Sequence, residues 1–140
     1  MKKGLKSSPG DFSLSIDTKP VPASRPRVSK WGTYYAKTYR RWRDQAAILL
    51  REARCGPEPL SGPLAVLTEI VSPKARTSKR HWPQGDNDNY EKAIWDVITN
   101  QNRFWGDDDQ IVFNATWKRY AKANETPGVR LHVYQLEDNE

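Results

Sequence analysis

Residues 86–112, DNDNYEKAIWDVITNQNRFWGDDDQIV, predict more about the fold of this chain than any other stretch. From residue 88 to about residue 100 the apolar side chains recur every three or four positions, which is typical of an amphipathic helix. An Asp or Asn is well suited to cap its first turn. The buried stripe of this helix is predicted to consist of Tyr90, Ile94, Val97 and Ile98.

Working outward from this helix, the same periodicities predict one more helix and four strands. We expect the helix at residues 38–54, ending before Gly56 and Pro57, and the strands at residues 12–16, 64–71, 110–120 and 128–136. Pro20, Pro22 and Pro26 are expected to keep the following basic stretch irregular. In the third strand Ile111, Phe113, Ala115 and Trp117 lie on one face.

The order of these elements, β-α-β-α-β-β, predicts an α+β fold, with a small mixed sheet of about four strands backed by two helices. A turn at residues 124–128 is expected to join the last two strands as a hairpin. We predict a disordered leader at residues 1–10 and one domain at residues 11–140, since 140 residues fit one domain.

Charge is distributed unevenly along this basic chain. Lys and Arg number 23 against 17 acids, which gives a net charge of +6, and residues 19–43 hold eight basic residues and no acid. A basic surface favours a polyanion, whereas clustered carboxylates repel one, and a divalent cation reconciles the two. These observations predict a metal-dependent nuclease.

The remaining composition limits the compartment and the kind of site. The single Cys55 excludes an intramolecular disulfide and a Cys-rich zinc site. No apolar run is long enough to cross a bilayer, and no apolar stretch follows the basic start as in a signal peptide. We therefore expect a cytoplasmic protein without a membrane partner. His81 and His132 are too far apart in sequence to suggest a site.

Asp86 and Asp88 stand two residues apart where a loop enters the helix. In extended backbone alternate side chains point to the same side, so both carboxylates can meet one cation. The alternative is a capping pair in which one Asp caps the helix and the other is solvated. An EF-hand loop is excluded, because Glu91 occupies the position that needs Gly and Val97 the position that needs Glu.

The second cluster, Asp107-Asp108-Asp109, opens the next strand. If that strand packs beside the start of the helix, one of these residues reaches Asp86 and Asp88. For Asp107 and Asp109 individually, a polar turn is the better interpretation. Lys92 follows Asp88 by four residues and precedes Asp96 by four, so it either forms ordinary ion pairs or stabilises charge on a phosphate. Glu69 joins the site only if it faces these residues.

The pattern Asp-x-Asp-Asn-x-x-Lys, followed by an apolar helix and Phe-Trp-x-Asp-Asp-x-Gln-Ile-Val, resembles the RusA-type Holliday junction resolvases of bacteria and phages. Residues 20–27 resemble the family's proline- and arginine-rich stretch more loosely. The resemblance implies that Asp86, Asp88 and Asp108 hold the metal and, with Lys92, form the catalytic site. Asp107 is then a further candidate ligand. Asp109 departs from the family pattern, and the loop at residues 73–85 looks longer than usual.

The same resemblance implies a homodimer that binds four-way DNA and nicks two opposing strands with Mg2+, for which Mn2+ is a possible substitute. It places the protein in DNA recombination and repair, in a bacterial host's cytoplasm if phage-encoded. Two alternatives remain: a flap or fork nuclease of the same fold, and a non-catalytic DNA-binding protein whose acids are caps and turns. The convergence of the aspartates distinguishes them, because a binding module gains nothing from carboxylates facing phosphate.

Basic residues interleaved with aromatic ones predict the DNA-binding surface. Tyr39 and Trp42 lie on the apolar stripe of the first helix, so we expect them in the core. Trp31, Tyr34 and Tyr35 stand in the basic loop and are predicted to stack on unpaired bases. The predicted DNA-binding residues are Arg25, Arg27, Lys30, Lys37, Arg40, Lys74, Arg76, Lys79 and Arg80.

Overall fold

The computed structural model describes residues 11–23, 27–30, 32–34, 37–53, 58–101 and 103–136. Its elements are β1 (Phe12–Ile16), β2 (Arg27–Ser29), β3 (Gly32–Tyr34), α1 (Lys37–Glu52), β4 (Leu64–Ser72), α2 (Asn87–Gln101), a 3-10 turn (Asp108–Gln110), β5 (Ile111–Tyr120) and β6 (Gly128–Gln135). The predicted α+β class and the order of the main elements are confirmed. The predicted leader at residues 1–10 lies outside the described residues.

The main sheet has four strands in the order β1-β6-β4-β5. β4 pairs with β5 in parallel and with β6 antiparallel, so α2 forms the crossover of a parallel β-α-β unit. The predicted hairpin of β5 and β6 is therefore wrong. β4 is the most apolar strand and is buried along nearly its whole length, and it occupies the place between the two strands that follow it in sequence.

The basic stretch before α1 contains a second, two-stranded sheet. β2 and β3 pair antiparallel, with Arg27 opposite Tyr34 and Ser29 opposite Gly32. The prediction of irregular structure here is wrong. All three prolines precede the paired residues, so every residue of this hairpin retains the amide hydrogen that a ladder needs.

Both helices pack on one face of the main sheet, where the core lies. Tyr39 and Trp42 of α1 are each 3% exposed, which confirms their predicted core packing. The predicted stripe of α2 is buried as well, together with Ala93. Each large side chain buried here stabilises the fold by about 1.5–3 kcal/mol. In the part of the chain that the structure describes, no helix is both long and apolar enough to span a bilayer.

In the part of the chain that the structure describes, no helix covers the other face of the sheet. Phe113 and Trp117 of β5 lie on this face and are 50% and 42% exposed. Glu69 of β4 lies there too, because its carboxylate accepts hydrogen bonds from Trp117 Nε1 and Arg119 Nε, both at 2.9 Å. The bond from Arg119 lowers the pKa of Glu69. Glu69 is thus committed to the open face of the sheet, away from α2.

Candidate active site

The first acidic pair lies at the N-terminal end of α2. Asp86 directly precedes the helix, and its carbonyl oxygen accepts the amides of Asn89 at 3.1 Å and Tyr90 at 3.2 Å. Asp88 lies in the first turn, and both Asp side chains are exposed. The positive end of the helix dipole favours carboxylates at this position. The sequence therefore places two solvent-accessible carboxylates where a helix tolerates them.

Polar contacts tie this end of α2 to β5. Asn87 Nδ2 donates to the Thr116 carbonyl at 3.1 Å. Glu91 Oε2 accepts hydrogen bonds from Asn114 Nδ2 at 2.8 Å and from the Thr116 hydroxyl. Lys118 donates its ammonium group to the carbonyl of Gly85. The helix start is thereby held against the edge strand of the sheet.

Asp108 occupies the opposite end of α2. Its Oδ1 accepts hydrogen bonds from the hydroxyl of Thr99, in the last turn of α2, and from Trp105 Nε1 at 3.3 Å. Asp107 instead caps the 3-10 turn, because its Oδ1 accepts the amide of Asp109 at 3.0 Å. The three successive aspartates therefore have different surroundings: one caps a turn, one is bonded to α2, and Asp109 is exposed.

A glutamine holds this second acidic segment in place. Gln110 Oε1 accepts the amides of Gly106 at 2.9 Å and Asp107 at 3.1 Å. Gln110 Nε2 donates to the carbonyls of Leu60 and Gly62, both at 3.0 Å. One side chain thus satisfies four backbone groups around the turn. The sequence pattern includes this Gln, but sequence reasoning gave it no role.

A single chain does not bring Asp108 to Asp86 and Asp88. Asp88 and Thr99 are eleven residues apart on α2, which corresponds to about 16 Å along a helix axis. Along β5, the distance from its first residue to Thr116 is also about 16 Å. In the described ranges no three His, Cys, Asp or Glu residues lie close enough to hold one metal ion. The expected convergence therefore does not occur within one chain.

Asp96 lies between the two ends and was considered from sequence only as a partner of Lys92. Burial raises the pKa of Asp96, as does the negative charge of Asp108, whereas Lys92 and Arg43 lower it. Lys92 is exposed, and among the described side chains it forms no ion pair with Asp88 or Asp96. A cavity beside Asp108 is lined by Tyr39, Arg43, Asp96, Thr99, Asn100 and Asp108. Asp96 thus belongs to the surroundings of Asp108, because it lies one turn before Thr99 on α2 and Thr99 is hydrogen-bonded to Asp108.

Basic residues accompany both acidic ends. The loop at residues 73–85 leads directly into Asp86, and in it Lys74 Nζ stands 5.3 Å from the centre of the Tyr120 ring. At the other end, α1 carries Arg43 near Asp96. Arg25 and the side chains of Arg27, Trp31, Tyr34 and Tyr35 lie outside the described residues. The exposed basic residues predicted to bind DNA are Lys30, Lys37, Arg40, Lys74, Arg76, Lys79 and Arg80.

Comparison with known proteins identifies the family of this chain. A family model described as endodeoxyribonuclease RusA matches residues 17–134, which is most of the chain and includes both acidic clusters and Lys92. No curated protein matched the chain. The matched residues begin directly after β1 and end within β6, so they include both helices and the strands β2 to β5. The chain therefore belongs to the RusA family of endodeoxyribonucleases, which are hydrolases acting on DNA.

Proposed function

We propose that this chain is a Mg2+-dependent endonuclease that resolves four-way DNA junctions by paired nicks. One observation carries the proposal. On a chain of net charge +6, Asp86, Asp88 and Lys92 are exposed near the start of α2, whose far end bonds Asp108. The exposed basic residues of the loop at residues 73–85 precede the first end, and the partly exposed Arg43 lies near the second. A protein that only binds DNA gains nothing from carboxylates that repel phosphate. Family membership supports the same function.

The donor atoms fit a divalent cation, but their placement in one chain does not. Carboxylate oxygens are the ligands that Mg2+ prefers. Asp86 and Asp88 are separated from Asp108 by almost the length of α2, so one ion cannot reach all three within a chain. We infer that a second copy completes the site, so that Asp86 and Asp88 of one chain meet Asp108 of the partner subunit.

Two-fold symmetry makes this arrangement self-consistent. In a C2 dimer the same surface contacts itself, so two antiparallel α2 helices place the N-terminal end of each beside the C-terminal end of the other. The face of α2 that carries Asp88, Lys92 and Asp96 is exposed or partly exposed, and is therefore available for such pairing. Such a dimer has two equivalent sites, one for each strand to be nicked.

The chain's own residues then have distinct tasks. A divalent ion held by the aspartates would supply positive charge at the phosphate and would lower the pKa of a bound water. Lys92, one turn after Asp88, binds a phosphate oxygen and stabilises the charge that develops on it. The exposed Lys and Arg residues bind the DNA backbone, which provides affinity that does not depend on sequence.

Cleavage of defined substrates tests the proposal. Labelled four-way junctions, flaps and linear duplexes are incubated with Mg2+, Ca2+ or EDTA, and the nicks are mapped. We expect symmetric nicks in opposing strands of the junction with Mg2+, binding without fast cutting with Ca2+, and no cutting with EDTA. Faster cutting of flaps favours the flap nuclease alternative. Salt-sensitive binding without cutting in any metal contradicts an enzymatic function.

A further inference from the structure

The indole of Trp105 and the hydroxyl of Thr99 meet at one oxygen of Asp108. Trp105 is completely buried, and its Nε1 lies 3.3 Å from Asp108 Oδ1 and 3.1 Å from Thr99 Oγ1. The Thr99 hydroxyl donates to the same carboxylate oxygen. Among the described residues, no hydrogen bond reaches Asp108 Oδ2. One carboxylate oxygen is therefore occupied by two donors, and the other is left as an acceptor.

We propose that Thr99 and Trp105 are positioning residues, which orient Asp108 so that Oδ2 is presented to the metal. The proposal rests on the function proposed above and explains how one metal ligand is oriented. Hydrogen bonds to a ligating carboxylate determine its orientation before the ion binds. Neither residue contacts DNA or the metal, because each acts through Asp108.

The donors themselves have little freedom to move. The segment that carries Trp105 is held by a bridge to Leu60, whose amide donates to the Phe104 carbonyl at 2.8 Å. Gln110 holds the turn that carries Asp108, and Thr99 belongs to α2. Two donors, one from α2 and one from the segment before the 3-10 turn, thus converge on one carboxylate oxygen. A solvated aspartate that needs no particular orientation does not require this arrangement.

Two buried residues outside this group provide matched controls. The Thr68 hydroxyl and the Trp42 indole nitrogen are buried without a hydrogen-bond partner in the described part of the chain. Thr68→Val therefore removes a hydroxyl, and Trp42→Phe removes an indole, without changing Asp108. These substitutions reproduce the loss of volume or polarity, but not the loss of a donor to the carboxylate.

The test compares Thr99→Val, Thr99→Ser and Trp105→Phe with Thr68→Val and Trp42→Phe. For each variant we measure the Mg2+ concentration for half-maximal junction nicking, Mn2+ affinity by calorimetry, junction affinity in Ca2+ and the thermal midpoint. Asp108→Asn gives the reference for lost metal binding.

We expect Thr99→Val and Trp105→Phe to weaken metal binding about 10–100-fold, as is typical when a residue that supports a metal ligand is lost. Saturating Mg2+ should restore most of the nicking rate, and junction affinity should not change. Thr99→Ser should behave as the unchanged chain. Thr68→Val should keep or raise the thermal midpoint, because it removes a buried hydroxyl that has no partner, whereas Trp42→Phe should lower it; neither control should change metal binding.

The proposal is overturned if Thr99→Val keeps the metal affinity of the unchanged chain. It is also overturned if Thr99→Ser loses as much metal affinity as Thr99→Val, or if the controls weaken metal binding equally, because the residues then only support the fold. If the unchanged chain binds Mn2+ no better than Asp108→Asn and does not nick junctions, the proposed function fails together with this inference.

Discussion

The two ends of α2 present aspartates in opposite ways. At the N-terminal end, Asp86 and Asp88 are exposed, and the contacts to β5 come from their neighbours Asn87 and Glu91. At the C-terminal end, the carboxylate of Asp108 is itself hydrogen-bonded. Among the described residues, the exposed carboxylate of Asp88 accepts only the amide of the next residue, Asn89, at 3.1 Å, whereas the carboxylate of Asp108 is held by two side chains. In the proposed composite site, the two ends therefore contribute different ligands: adaptable ones from the N-terminal end and an oriented one from the C-terminal end.

The largest effect is expected from removing a carboxylate at either end. Asp88→Asn and Asp108→Asn should each lower junction nicking by about 100-fold or more, because each removes a charge from the same composite site. Junction binding in Ca2+ should persist, since the repulsion of phosphate decreases. Quantitative nicking and binding assays check this.

Asp109→Asn is the matched control for these variants, because Asp109 is adjacent to Asp108 but exposed. It should retain nearly full activity. Equal losses for Asp109→Asn and Asp108→Asn would contradict the assignment of Asp108, and full activity of Asp88→Asn would contradict the role of the N-terminal end.

A smaller effect is expected from loosening the backbone anchor of the N-terminal end. Glu91→Leu leaves the Asn114 amide and the Thr116 hydroxyl without their acceptor. Loss of such bonds costs about 1–3 kcal/mol of unfolding free energy. Denaturant titration measures this cost, and the exposed Glu58→Leu serves as the control. Equal stability of the two variants would show that the anchor contributes nothing.

The smallest effect is expected from a substitution of Asp96. It tests whether the negative charges of Asp96 and Asp108 repel each other. Burial and the charge of Asp108 raise the pKa of Asp96, so the fold disfavours its ionised form at neutral pH. Without metal, Asp96→Asn should therefore raise the unfolding free energy by up to about 1 kcal/mol. The gain should disappear in acid, where Asp96 is protonated in both states. Thermal melts across pH, with Asp44→Asn as a control, measure it; a loss of stability at neutral pH would contradict this interpretation.

Sequence periodicity predicted where the helices and strands lie better than it predicted which strands are adjacent in the sheet. The helices and main strands follow from local patterns of apolar residues, and β4 is predicted within one residue of its observed end. Strand order depends instead on which strand packs best at the centre of the sheet, and this is determined by contacts throughout the core. For this reason the hairpin of β5 and β6 was predicted wrongly, and the short β2–β3 hairpin was missed.

For the candidate site, too, the sequence predicted which residues matter better than it predicted which of them are close in space. Motif spacing singled out Asp86, Asp88, Lys92 and Asp108, but their distances follow from the length of α2, which separates what the motif groups together. The contacts of Asp108 with Thr99 and Trp105 are made within ten residues of sequence, but they depend on how the chain turns after α2, which periodicity does not predict. Residues close in a motif are close in space only where the intervening element permits it.

Mixing two inactive variants tests most directly whether the two ends of α2 act together across a dimer. Asp88→Asn and Asp108→Asn chains, carrying different tags, are refolded together, and the mixed dimer is purified. If each site combines Asp88 of one chain with Asp108 of its partner subunit, the mixed dimer contains one intact and one doubly altered site. It should then nick a four-way junction in one strand at about half the rate of the unchanged dimer and fail to make paired nicks. A mixed dimer as inactive as its parents would contradict the composite site, because both sites are damaged if each belongs to a single chain.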